Sequence, residues 1–104
     1  MYIVIWEYQV KTDCVAEFEK IYGENGAWAE LFTKGSGYLG TELFQDSSHL
    51  HHYITIDRWS SVTDYESFLS NWKKDYETLD AQCEDLIEQE TLLGKWESLF
   101  RETR

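Results

Sequence analysis

Asp57 sits in the run YITIDRW as a single carboxylate flanked by Tyr53, Ile54, Ile56 and Trp59. A carboxylate in aromatic surroundings loses hydration, which raises its pKa and suits it to take a proton from a phenol or an enol. The same residue near a solvated strand end would keep an ordinary pKa, the commoner fate of an aspartate. His49, His51 and His52 lie just upstream. On a strand His49 and His51 point the same way, and two imidazoles with an acidic residue can hold a transition metal. Histidines clustered at a hairpin exit are more often solvated or hydrogen-bonded locally, and no metal is assigned to them. Neither Cys14 nor Cys83 has an evident histidine partner, and the chain contains no Gly-x-Ser-x-Gly elbow, so nucleophilic catalysis lacks support. The two cysteines are read as reduced thiols of a cytoplasmic protein, a single disulfide being the alternative. The glycine-rich loop Lys34 to Gly37 lacks the spacing and Lys-Ser/Thr pair of a phosphate loop and reads as a plain flexible connection.

The elements that must position these groups follow from periodicity. Residues 53 to 59 alternate, with Tyr53, Thr55, Asp57 and Trp59 on one face and Ile54, Ile56 and Arg58 on the other. Ser61, three residues before Asp64, can cap a helix whose stripe is Val62, Tyr65, Phe68, Leu69 and Trp72. Earlier, Tyr2 to Val10 alternates with Ile3 and Ile5 on its second face, which implies that both sides of the sheet are covered. Asp13 can cap a helix carrying Val15, Phe18, Ile21 and Tyr22 and ending near Gly23. Ala27 to Phe32 reads as a short helix, and Tyr38 to Gln45 as a strand joined to the next by the hairpin turn Asp46-Ser47-Ser48. After Trp72 the helical pattern continues or restarts through Tyr76, Leu79, Cys83 and Leu86, and Thr91 to Trp96 forms a last short strand. Leu99 and Phe100 fall in a charged tail over 97 to 104, where they either fray or pack on a partner.

The order β-α-β-β-α-β over residues 1 to 104 is that of a single ferredoxin-like α+β domain, an antiparallel sheet with its helices on one face. A chain of this length supports one core. Aromatic residues make up 16% of it, enough that some are expected to line a ligand cavity or a subunit contact as well as fill the interior. The net charge of −11 has the wrong sign for gripping nucleic acid or an anionic membrane without a basic patch, and the sequence shows none. The acidic excess between 75 and 97 reads as a solvated helix face. The N-terminus lacks the basic start and apolar run of a signal peptide, and no apolar stretch approaches a membrane span.

Ile3, Ile5, Ile54 and Ile56 occupy corresponding faces of strands one and three, so a homodimer stacked sheet to sheet is the simplest cover for the face without helices. The opposite face then carries Trp6, Tyr8, Tyr53, Thr55, Asp57 and Trp59 beneath the helices with Tyr65, Phe68 and Trp72. An aromatic surface with a few polar groups suits a flat organic ligand; the alternative is that these side chains pack against one another.

The element order, the segments GAWAELF and GYLGTELF, the run RWSSVTDYESF and the terminal LLGKWE resemble the antibiotic biosynthesis monooxygenase domain, a dimeric α/β barrel group with ferredoxin-like subunits. The resemblance implies oxidation of an aromatic substrate by molecular oxygen without flavin, haem or metal. It also implies substrate contacts from Trp59, at the end of strand three, and Tyr65, on the following helix. The quinone-forming members also use an asparagine on that strand and an arginine after the helix, where this chain has Thr55 and the nonbasic region around Leu79. The haem-degrading branch needs an asparagine late in strand one and an axial histidine, whereas this chain has Tyr8 and no histidine from Ser61 to Arg104. Two readings follow. One is a cofactor-free oxygenase of a small aromatic, phenolic or enolisable compound, in which Trp59 and Tyr65 orient the substrate, Trp6, Tyr8 and Trp72 wall the pocket, and Asp57 or Tyr65 removes a proton. The other is a noncatalytic dimeric module that binds a small hydrophobic ligand or is structural.

Overall fold

The computed structural model describes residues 1–99, so Phe100 and its expected subunit contact lie outside the described residues. The chain runs β1 (Tyr2–Val10), α1 (Val15–Tyr22), α2 (Ala27–Phe32), β2 (Tyr38–Gln45), β3 (His52–Trp59), α3 (Val62–Asn71), α4 (Lys73–Cys83) and β4 (Ile87–Glu97). The strands form one antiparallel sheet in the order β2-β3-β1-β4. This is the ferredoxin-like α+β arrangement expected from the order of elements.

Strand alternation divides the sheet into two unlike faces. On β1 and β3, Tyr2, Val4, Tyr8, Val10, Tyr53, Thr55, Asp57 and Trp59 are buried under the helices, while Ile3, Ile5, Ile54 and Ile56 are only half-buried on the reverse. Phe44 and Trp96 join that reverse face, paired with Ile54 and Ile3, and both are exposed. Under the helices, Phe18 stacks on Tyr22 at 4.3 Å, and Phe32 meets Trp59 and Phe68 edge-on at 5.8 and 5.3 Å. Edge and offset contacts of this kind add about 0.5–1.5 kcal/mol each beyond burial.

The Ser61 hydroxyl accepts from the Asp64 amide at 3.1 Å and starts α3 as expected. Trp72, at φ −120°, breaks the helix so that α4 restarts at Lys73. Other boundaries differ from the sequence reading. Asp13 makes no cap: residues 12 to 14 form a 3-10 turn and α1 begins at Val15 without a side-chain cap. The β2–β3 connection runs from Asp46 to His51, with His51 at φ 61°, so His49 and His51 lie in the turn and not on a strand. β4 starts at Ile87, because pairing with β1 satisfies its backbone despite a polar start that carries no strand signal; Glu88 and Glu90 therefore belong to a strand rather than a solvated helix face. The Lys34 to Gly37 loop is packed rather than plainly flexible. A Cβ on Gly35 would come within 2.9 Å of Phe68 and 3.0 Å of Trp59, and Gly37 adopts φ 84° where its carbonyl accepts from the Ser60 amide. Among the described residues no helix is long and apolar enough to cross a membrane.

Candidate functional site

Asp57 lies well inside the sheet, with Val4 of β1 opposite it on one side and Thr41 of β2 on the other, so it is not at a solvated strand end. It is 7% exposed. Thr41 Oγ1 donates to Asp57 Oδ1 at 2.7 Å, and the Tyr38 hydroxyl in turn bonds Thr41 Oγ1 at 2.6 Å. No hydrogen bond from a described residue reaches Asp57 Oδ2. Burial pushes the Asp57 carboxyl up to about 6, against the lowering effect of the Thr41 bond.

Asp57 faces a narrow cavity between the sheet and the helices. Its polar floor adds Thr41 and Thr55, and its buried walls are Tyr8, Tyr22, Trp28 and Phe32. Trp6 and Tyr76, half-buried, and Asp80 and Glu90, exposed, stand at the mouth. The space is about 380 Å³ counted out into the solvent at the mouth, but only about 30 Å³ admits the centre of a water-sized sphere. That is room for a water or two, so an aromatic ring enters only when side chains lining the cavity move.

The polar groups of the cavity are in tension. Burial holds the Tyr8, Tyr22 and Tyr76 hydroxyls well above the usual phenol range, and the Glu90 charge adds to each. Partial loss of water and the nearby Asp80 raise Glu90 itself. The Trp28 indole N–H is buried and makes no hydrogen bond, although it lies near enough to Tyr22 and Cys83 to ease a charge on either. The site therefore offers Asp57 Oδ2 as an acceptor to whatever occupies it, while Trp28 Nε1 is shut in beside Tyr22 and Cys83.

Of the residues singled out in the sequence, Asp57, Thr55, Trp6 and Tyr8 line this cavity. Tyr53, Trp59, Tyr65, Phe68 and Trp72 are not among its lining residues. The Tyr53 hydroxyl donates to Glu19 at 2.5 Å. Trp59, fully buried, packs among Phe32, Tyr38, Tyr65 and Phe68. Tyr65 lies against Tyr2 and Trp59 with Lys95 over its ring, and burial pushes its hydroxyl up to about 12. Trp72 lies under the Lys34 ammonium at 4.9 Å. Thr41, Tyr22, Trp28, Phe32, Tyr76, Asp80 and Glu90 are the lining residues that sequence reasoning missed. Thr41 was reachable by pairing β2 with β3 across the hairpin, and Tyr22 and Trp28 already stood on inward helix stripes. Asp80 and Glu90 had no signal, because the approach of α4 to β4 is a tertiary fact.

The histidines are engaged elsewhere. His49 and His52 each place Nδ1 on the Asp46 carboxylate, at 3.1 and 2.9 Å, and His52 Nε2 meets Glu7 at 2.7 Å. Those contacts occupy His49 Nδ1 and both ring nitrogens of His52.

The ferredoxin-like domain thus closes an aromatic cavity over a buried carboxylate. The sequence model for antibiotic biosynthesis monooxygenase matches residues 1–73, and the chain belongs to that family. No curated protein sequence matches it. Among solved structures, it is similar to a point mutant of SnoaB, a cofactor-independent oxygenase from Streptomyces nogalater, with TM-score 0.70 and 17% identity over 99% of this chain and 97% of that one. PA3566 from Pseudomonas aeruginosa gives TM-score 0.67 and 15% identity over 95% and 94% of the two chains. A point mutant of MhuD, solved with two manganese protoporphyrin IX molecules per active site, gives TM-score 0.68 and 16% identity over 97% of each chain. At these identities the likeness is one of fold.

Proposed function

We propose that the chain is a cofactor-independent oxygenase of a small aromatic, phenolic or enolisable compound, with Asp57 as the base. The observation that carries this reading is the unpaired Asp57 Oδ2 inside an aromatic cavity. Asp57 Oδ2 takes a proton from the substrate and leaves a delocalised carbanion. Electrons pass from that carbanion to dioxygen and a carbon–oxygen bond forms. The peroxide recovers the proton, and loss of water converts the original CH₂ to a carbonyl. A base with a pKa near 6 is mostly ionised at neutral pH yet still able to return its proton, which suits both steps. Membership of the monooxygenase family supports the reaction class, and the free thiols Cys14 and Cys83 fit a cytoplasmic setting.

Oxygen uptake by chelator-treated protein with a panel of anthrones and hydroquinones tests the reading. Uptake above the buffer rate that Asp57→Asn abolishes is expected; no uptake with any member of the panel overturns it. The second reading, a noncatalytic ligand-binding module, is favoured by one observation. Trp59 and Tyr65, which the family resemblance assigns to substrate contact, are packed into the core outside the cavity lining. Trp59→Phe and Tyr65→Phe variants that bind and turn over normally would show that the two rings serve packing alone.

The assembly belongs to the same proposal. Ile3, Ile5, Ile54 and Ile56, with exposed Phe44 and Trp96, form an apolar sheet face that a second copy of the chain would cover. Light scattering at micromolar concentration should report a dimer, and Ile5→Glu should give monomers, because an unpaired carboxylate cannot be buried in that contact without a partner. A wild-type monomer rules out the dimer.

A further inference from the structure

Among the described residues the cavity is lined by three carboxylates, Asp57, Asp80 and Glu90, and by no lysine, arginine or histidine. Lys34 lies over Trp72 and Lys95 over Tyr65, two rings outside the lining. Two of the carboxylates, Asp80 and Glu90, stand at the mouth beside the Trp6 and Tyr76 rings, and the third stands at the floor with one oxygen unpaired. A cation between an aromatic face and a carboxylate gains from both the ring quadrupole and the charge. An anion entering the same opening meets only repulsion, in a chain whose net charge is already −11.

We propose that the ligand of this cavity carries a cationic nitrogen, with its aromatic part inside against Tyr8 and Trp28 and its ammonium at the mouth between Asp80, Glu90 and the Trp6 and Tyr76 rings. The inference rests on the proposed function only in taking this cavity as the ligand site; it names the substrate class and is independent of whether oxygen is consumed. It narrows the substrate to an arylalkyl amine, which is protonated at neutral pH, in place of the neutral or anionic phenols that a search guided by the family would try first. The same arrangement gives the acidic mouth a purpose: it draws cations in by long-range attraction and turns carboxylates away.

The test is an NMR titration of the intact protein with three probes matched in size, 2-phenylethylammonium, 2-phenylethanol and 3-phenylpropionate, in chelator-treated buffer at low salt. Amide shifts around Trp6, Thr55, Asp57 and Glu90 report the site. The ammonium is expected to bind about tenfold more tightly than the alcohol, and the carboxylate more weakly than either. Asp80→Asn combined with Glu90→Gln, both at exposed positions, should bring the ammonium to within about twofold of the alcohol. Equal binding of the alcohol and the ammonium to the wild type overturns the cationic preference and leaves the oxygenase reading standing. Preferential ammonium binding with no oxygen uptake from any substrate upholds the preference and overturns only the oxygenase reading. No shift at the cavity with any of the three probes overturns the cationic preference, and the oxygenase reading is then decided by the oxygen-uptake assay alone.

Discussion

Asp46 and Asp57 belong to the same β-hairpin and titrate in opposite directions. Asp46, at the surface turn, accepts from the Ser48 amide at 2.8 Å and from His52 and His49, and these bonds hold it down to about 2. Asp57, one strand layer inward, has a single donor, Thr41, and burial takes it up to about 6. Read as residue types, the turn is the richer site, with histidines gathered around an acid. Its groups satisfy one another, and little is left over for a ligand. The carboxylate with fewer neighbours is the one left able to act, because an unpaired buried charge retains a need that a substrate can meet.

The largest effect that would break this contrast is on activity. Asp57→Asn should lower turnover by about 10²–10⁴-fold, the usual range for a lost general base, whereas Asp46→Asn should leave it within about twofold. Equal losses in oxygen uptake would mean that the cavity has no special role.

The next effect concerns stability, and its sign differs between the two acids. Because the folded protein binds the Asp57 proton more tightly than the unfolded chain, folding stability falls as pH rises from about 4 to 6, and the cost is complete above that. Asp57→Asn should therefore stabilise the fold by about 3 kcal/mol at pH 7.5 and by little at pH 4, as read by urea denaturation. A destabilised variant at pH 7.5 would mean that the carboxylate is paired after all.

A smaller effect sharpens the account of Asp57 itself. Thr41→Val removes the donor that eases its charge, so its carboxyl should titrate higher than about 6 when followed by carbon NMR, with no change at Asp46.

The smallest effect lies at the turn. Asp46 has a lowered pKa, so its contribution is present above the unfolded value near about 3.9 and fades as pH falls towards 2. His52 has a raised pKa, from the Asp46 bond first, so its contribution is full below the unfolded value near about 6.5 and is lost as pH rises past the folded one. His52→Gln should cost slightly more stability at pH 5 than at pH 8.5, measured by thermal unfolding; the reverse order would refute the paired-imidazolium description.

Much of the fold was legible in the sequence. The alternation of β1 and β3, the Ser61 cap, the helical stripes and the order of elements follow from local sterics and from the need of each apolar stripe for a cover, which act over a few residues at a time. The same logic placed Trp6, Tyr8, Thr55 and Asp57 on one face, and that face does line the cavity. It also placed Trp59 there, but strand alternation gives only the side of the sheet. Whether a side chain on that side reaches open space or a neighbour is decided by what lies above it. Over Trp59 the α2 and α3 rings of Phe32 and Phe68 close the space, whereas over Asp57 the layers part. Start signals failed where tertiary pairing replaced local capping, at Asp13 and at the polar beginning of β4.

The sequence by itself determined the ferredoxin-like order and the two unlike faces of the sheet, because periodicity and chain length leave few other ways to bury these side chains, while it left open whether Asp57 is buried or at a solvated strand end. Only the tertiary structure decided that Thr41 would partner Asp57, that Trp28 would be left without an acceptor, and that Asp80 and Glu90 would meet at the mouth. Those groups come from different elements, and their meeting depends on how far α4 and β4 lie from one another across the fold, a distance that no local pattern encodes.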